Sequence, residues 1–194
     1  MQNYTSPRNI AIYGHESAGP EKVAEALGAK FAPEISSEIE CAIFVINPNT
    51  GIDSDTISTW QSLDDFLTPR MVVVTELQSG LGDFDDAVML ASRTLDQVVT
   101  PYLVLHAEDG LPCALISLID MTIIDYSSKP EVRRPCEPEH ETLVQEFRAE
   151  YIELATSFGE GAFAAGVLFP AIPLWIEKGI GIQEVNEYLN QLSN

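Results

Sequence analysis

The chain has 194 residues, 45% of them hydrophobic, with 10 basic against 30 acidic side chains and a net charge of −20. This suits one well-buried domain, excludes a disordered chain, and excludes an average surface that attracts a nucleic-acid backbone. Cys41, Cys113 and Cys136 are far apart with no C-x-x-C, which argues against a disulfide framework or zinc site, and without a signal-type apolar core or a run of roughly 18 apolar residues a cytoplasmic, non-membrane protein is expected.

Residues 8–26, RNIAIYGHESAGPEKVAEA, read as a short apolar strand from Asn9 to Tyr13, a glycine-bounded loop, and a helix over 20–30 with Val23, Ala26 and Leu27 inward. The loop, Gly14, His15, Glu16, Ser17, Ala18 and Gly19, is framed like a phosphate-binding loop, G-x-x-x-x-G-K-[ST]. In the working motif the loop amides and helix N-terminus cradle phosphates, the lysine reaches the outer phosphates, and the hydroxyl holds Mg²⁺. Pro20 stands at the lysine position and Glu21 at the hydroxyl position. The frame is kept and both groups that act on phosphate and metal are missing. A helix N-terminus attracts anions, so Glu16 and Glu21 are expected to occupy that field themselves.

Next come an acidic connector over 33–40 and a continuous apolar run over 41–46, CAIFVI, of the kind a strand covered on both faces shows. A helix is predicted over 53–66 with Ile57, Trp60, Leu63 and Leu67 at helical spacing, then a strand over 71–75, a helix over 83–99, and a fourth strand over 102–106. This alternation predicts an α/β fold, three layers around a reduced and mainly parallel sheet. Residues 111–126 predict two antiparallel strands turning near Asp120, inside an insertion at about 109–137 whose second half, 127–137, is a polar connector. A long acidic helix is expected over 138–158, with Leu143, Phe147, Tyr151, Leu154 and Phe158 forming a core-facing stripe. A brief strand over 167–169 and a final helix over 182–192 close the chain, all 194 residues being read as a single domain.

The order and wording of these segments resemble the G domain of elongation factor G-type translational GTPases. RNIAIYGHESAG, CAIFVINPNTGIDSDT, PRMVVVTELQSGLGDFDDA, LISLIDMTIIDYSS and GVLFPAIP carry the likeness, spread over nearly the whole chain, and TELQSGLGDFDD and IDYSS are similar to a divergent, elongation factor G-like branch. The resemblance implies a P-loop nucleotide-binding fold, with GTP and Mg²⁺ as the family's ligands. It also implies that the family's switch segments, with their D-x-x-G and the histidine after it, should lie before the strand at 41–46, where only about ten residues are available. The guanine-reading N-K-x-D aligns with Thr75, Glu76, Leu77 and Gln78, so that Gln78 replaces the guanine-binding aspartate and Glu76 the lysine under the base. The last motif, S-A, aligns with Pro170 and Ala171.

Each charge-assisted hydrogen bond lost from a buried site costs on the order of 1.5 to 3 kcal/mol. Losing the loop lysine, the Mg²⁺ hydroxyl and the guanine aspartate together removes roughly 5 to 8 kcal/mol, about four to six orders of magnitude in affinity. The favoured reading is therefore a pseudo-GTPase with no cofactor and no catalytic or metal-binding residue, acting as a binding or regulatory module. The alternative is a translation-factor-like GTPase that binds GTP or a smaller phosphate weakly, with Lys22 as the nearest replacement cation. A third is a degraded paralogue or a segment of a longer factor. The resemblance implies no catalytic role for His15. His106 and His140 have no triad or metal partners in sequence, Cys136 sits between prolines in an exposed-looking connector, and Arg133-Arg134 is the one adjacent basic pair available to an RNA. With the switch strands missing, the strand from Asn9 to Tyr13 becomes a sheet edge, expected to be covered by the amino-terminal tail, by residues 33–40, or by a protein partner or second copy.

Overall fold

The computed structural model describes residues 9–31 and 38–192. In chain order these form β1 (Ile10–Tyr13), α1 (Pro20–Leu27), β2 (Lys30–Phe31), β3 (Cys41–Ile46), α2 (Ser54–Ser62), β4 (Arg70–Val74), α3 (Phe84–Thr94), β5 (Val98–Val99), β6 (Tyr102–His106), β7 (Pro112–Ser117), β8 (Thr122–Asp125), β9 (Val132–Pro135), α4 (Pro138–Phe158), β10 (Phe169–Pro173) and α5 (Ile182–Gln191). Short 3-10 turns at Glu16–Ala18, Asp64–Phe66, Leu77–Ser79 and Ile176–Lys178 join them.

Six strands make a parallel sheet in the order β2-β1-β3-β4-β10-β5, and four make an antiparallel sheet in the order β6-β7-β8-β9. The parallel strands alternate as a period of two requires. Ile10, Ile12, Ile43, Val45, Met71, Val73 and Ile172 pack toward α1 and α5. Ala11, Tyr13, Ala42, Phe44, Val72 and Val74 pack on the other face with Trp60 of α2 and Phe84, Ala87 and Ala91 of α3. Burial on both faces explains the unbroken apolar runs. Arg70, at the amino end of β4, is only 2% exposed; its guanidinium lies over Trp60 and Phe169 and donates to Asp64 Oδ1 at 2.6 Å. The mainly parallel three-layer fold is as predicted.

Several boundaries and one strand assignment differ. The helix expected over 20–30 ends at Leu27, because Gly28 adopts the left-handed conformation and caps it. Lys30 and Phe31 then turn back as β2 and pair in parallel with Ala11 and Ile12. The strand from Asn9 to Tyr13 is consequently not the sheet edge; β2 is, and its covering segment precedes the expected 33–40 connector, most of which lies outside the described residues. The helix over 53–66 is α2 followed by a 3-10 turn, with Leu67 exposed rather than inward. The helix over 83–99 stops at Thr94, and Val98–Val99 is a short strand.

The strand over 102–106 is not the fourth parallel strand. β6 pairs antiparallel with β7, Leu103 opposite Ile116, and the place beside β4 goes to β10, which runs longer than the brief strand expected over 167–169. The prolines of β10 fall where each ladder ends, Pro170 opposite Val99 and Pro173 opposite Val74, so their missing N–H groups interrupt neither. The two antiparallel strands read over 111–126 are β7 and β8, and the supposed connector over 127–137 contains β9. Cys136 is buried rather than exposed, and burial pushes its thiol up, away from the reactive thiolate.

The stripe on α4 is also not core as expected. Only Val144 is buried on this helix, against Ile116, Leu118 and Cys136, while Leu143 is 71% exposed and Phe147 and Phe158 are largely exposed. Tyr151 and Leu154 meet the core at its margin. The small antiparallel sheet covers only one narrow side of this 21-residue helix.

The two sheets are joined by a polar clamp on α5. Glu184, with no exposed surface, accepts from the Tyr126 hydroxyl at 2.8 Å and pairs with Arg133 at 3.1 Å; Arg133 also reaches Glu187, which accepts from Tyr102. Arg134 pairs with Glu137. Both arginines thus meet carboxylates of this chain, of which Glu184 alone is buried. Burial raises the Glu184 carboxyl above its ordinary value of 4.5, offset in part by Tyr126 and Arg133. A raised carboxyl stabilises the fold most below its unfolded value, and that contribution is lost as pH rises through the folded value. Arg133→Ala should lower stability by less than the roughly 3–5 kcal/mol of a fully buried pair, because Arg133 is 36% exposed and Tyr126 still donates to Glu184. In thermal melts between pH 4.5 and 7, wild type should gain on Glu184→Gln as pH falls; a difference independent of pH would contradict the assignment.

Candidate functional site

The carboxyl ends of β1, β3, β4 and β10 converge, where open parallel sheets place their ligands. Gly14 leaves β1 at φ 147°, and a Cβ there would lie 2.5 Å from the Val45 carbonyl oxygen, so only glycine permits this approach to β3. His15 to Ala18 then tighten into the 3-10 turn, and Gly19, left-handed at φ 69°, passes the chain to Pro20 at the first position of α1.

Three successive amides of the turn are bonded internally. The Ser17 N–H donates to His15 Nδ1 at 3.2 Å, the Ala18 N–H to the His15 carbonyl at 2.9 Å, and the Gly19 N–H to the Glu16 carbonyl at 3.0 Å. Pro20 has no N–H to offer. A phosphate cradle needs several converging free amides; here those of Ser17, Ala18 and Gly19 are committed and Pro20 has none, which leaves only the amides of the helix start, Glu21 and Lys22. The expected capping by Glu16 and Glu21 is not what fills the site: both residues are exposed, and the acceptors are the His15 ring and main-chain carbonyls.

Neighbouring strands fasten the turn in this form. Thr75, after β4, donates to the Ala18 carbonyl at 2.7 Å, Asn47, after β3, donates to the Ser17 carbonyl at 2.8 Å, and the Ser17 and Thr50 hydroxyls lie 2.9 Å apart. Asn49 bridges Asn47 and Ser79. Asn47 and Thr50 were not singled out from sequence; the available signal was their place just past a buried strand, at the ligand-binding end of the sheet.

Beside the turn lies a pocket of about 170 Å³. Ala18, Gly19, Thr75, Glu76 and Gln78 line it, so the loop and the guanine-motif positions are brought together. Glu76 takes the left-handed conformation at φ 57°, and its carboxylate accepts from the Gln78 amide at 3.2 Å. The two side chains therefore satisfy each other. Pro170 and Ala171 are not brought to the pocket; they are buried inside β10, and its far wall is Leu174, Trp175, Ile176 and Glu177, beyond the end of that strand. Lys22 also lines the pocket. Its acids are Glu76 and Glu177, a poor match for a nucleotide's phosphates, and its volume falls below the roughly 300 Å³ at which small-molecule sites begin.

Comparison with known proteins agrees with this architecture. An elongation factor G-like protein of Mycobacterium tuberculosis is 30% identical over 173 residues, an alignment covering 76% of this chain and 23% of the relative. Elongation factor G of Paracoccus denitrificans is 29% identical over 134 residues, 66% of this chain and 18% of that one. The chain belongs to the elongation factor G-like family. It spans about a quarter or less of the length of these curated relatives. A crystal structure from Thermus thermophilus superposes with a TM-score of 0.77 at 19% identity, covering 95% of this chain and 40% of that one, which supports the fold. No protein-family model matches the chain. Within this elongation factor G-like chain no group of His, Cys, Asp and Glu among the described residues is placed to hold a metal ion, and no described helix is long and apolar enough to cross a membrane.

Thr75 is the most economical test of the fastened turn. Thr75→Val leaves the Ala18 carbonyl without its donor and should cost about 1–2 kcal/mol in urea unfolding, whereas Thr75→Ser should stay near wild type; equal behaviour of the two variants would mean that the hydrogen bond contributes nothing.

Proposed function

We propose that this chain is a pseudo-GTPase: a G-domain scaffold of the elongation factor G-like family that binds or regulates a protein partner and does not turn over GTP. The observation that carries this reading is the phosphate-loop frame whose Ser17, Ala18 and Gly19 amides are hydrogen-bonded internally and whose next residue, Pro20, has none. The Glu76–Gln78 hydrogen bond and the acid-lined pocket of about 170 Å³ support it independently. So does the pairing of Arg133 with the buried Glu184, which takes half of the basic pair into the fold and argues against direct nucleic-acid binding.

On this reading all 194 residues act as one cytoplasmic domain carrying the insertion at about 109–137, and a protein partner or second copy engages the sheet end at β1, where β2 is now the outermost strand.

One observation favours the alternative of weak phosphate binding, namely that Lys22 reaches the same pocket as Gly19. Titration calorimetry with GTP, GDP and ATP in Mg²⁺ separates the two. No saturable heat is expected in the micromolar range; micromolar binding that disappears in Lys22→Ala would overturn the pseudo-GTPase reading in favour of the alternative.

A further inference from the structure

A second hollow, of about 450 Å³, lies away from the loop, between the segment that follows β8 and the start of α5. Its apolar wall comes from Tyr126, Pro130 and Ile182, and its charged rim from Lys129 and Lys178, with Glu131 the one acid. In a chain with three acids for every base, chance would give an acidic rim. Four other hollows on the described surface do carry as many acids as bases or more, with Asp85 and Glu150 at one and Asp83 and Asp86 at another. This one instead gathers two of the chain's four lysines. Neither is paired with a carboxylate among the ion pairs of the described residues: Arg70, Arg133 and Arg134 make those, and Lys178 lies over the Trp175 ring at 5.3 Å.

We propose that this hollow is a binding site for a small organic anion with an apolar body, its carboxylate or phosphate held by Lys129 and Lys178 and its body against Tyr126, Pro130 and Ile182. The volume falls within the range of small-molecule sites, and the combination of apolar walls with a few converging charges is what such sites use for orientation. An ammonium is a compact, mobile donor, so both lysines can swing onto one headgroup. The turn that carries Lys178, Ile176–Lys178, has Ile176 and Glu177 on the pocket beside the phosphate loop and Lys178 on this hollow. An anion that draws Lys178 away from Trp175 therefore changes the surroundings of an indole on the wall of the first pocket. The site stands whether or not the chain binds nucleotide.

Trp175 supplies a local reporter, since the only other tryptophan, Trp60, is 1% exposed on the opposite face of the sheet. Phenylacetate and phenyl phosphate, as carboxylate and phosphate probes, are titrated into the whole chain at low salt, with benzyl alcohol, benzylamine and inorganic phosphate alongside. Calorimetry measures binding and tryptophan emission reports its place. At least one aryl anion should saturate below about 10 mM and shift an emission that Trp175→Phe abolishes. Benzyl alcohol and benzylamine should not saturate, and inorganic phosphate should bind more weakly for want of an apolar body. Lys129→Ala combined with Lys178→Ala should lose about tenfold or more in calorimetric affinity while keeping the wild-type circular dichroism. Saturation by both anions, or by one of them, supports the site and identifies the headgroup. The proposal is overturned if neither aryl anion saturates, if benzyl alcohol or inorganic phosphate binds as tightly, or if the double variant binds like wild type.

Discussion

The turn between β1 and α1 carries main-chain donors that a phosphate would use, and the chain has turned three of them on itself. Ser17 donates to the ring of His15, Ala18 and Gly19 donate to carbonyls two residues or more behind the helix start, and Pro20 donates nothing. Opening this turn for an anion would break several hydrogen bonds at once, each worth about 1 kcal/mol net and more when the freed group stays buried. Substitutions at the lysine and hydroxyl positions remove attraction for phosphate; the closed turn adds a cost to its entry.

The rest of the sheet's carboxyl end is arranged around that closure. Gly14 lets β1 approach the Val45 carbonyl, which brings the turn within reach of Asn47 and Thr50 from β3 and Thr75 from β4. These are contacts between separate strands, so the parallel sheet itself holds the loop shut. At the start of α5, Glu184 and Arg133 tie the antiparallel strands to that helix. One device engages three amides of the loop, the other engages an arginine of the small sheet.

Much of this fold was legible in the residues. CAIFVI and MVVVT read as strands because burial on both faces demands unbroken apolar runs, and β3 and β4, the latter one residue earlier at Arg70–Val74, are buried throughout. What the pattern could not provide was partnership. YLVLH is as apolar as a central parallel strand, yet β6 pairs antiparallel, since Thr100 and Pro101 carry the chain off the sheet after only two residues of β5 and leave room for β10. A helical stripe likewise names residues that share a face without naming what faces them, so Leu143 and Phe147 of α4 stayed exposed. At the site, the glycine frame and the substitutions at Pro20, Glu21, Glu76 and Gln78 were readable one by one. The bonds that close the turn were not, because Asn47, Thr50 and Thr75 meet it from 30 to 57 residues away.

The central claim is that the loop's amides are committed, and amide-resolved NMR addresses those atoms directly. The Ser17, Ala18 and Gly19 signals would be followed while inorganic phosphate and then Mg²⁺-GTP are added, together with their hydrogen exchange in the free protein. The three signals are expected to stay in place, and the Ala18 and Gly19 amides to exchange slowly. Rapid exchange with a saturable shift of those three signals on adding either ligand would contradict the closed turn.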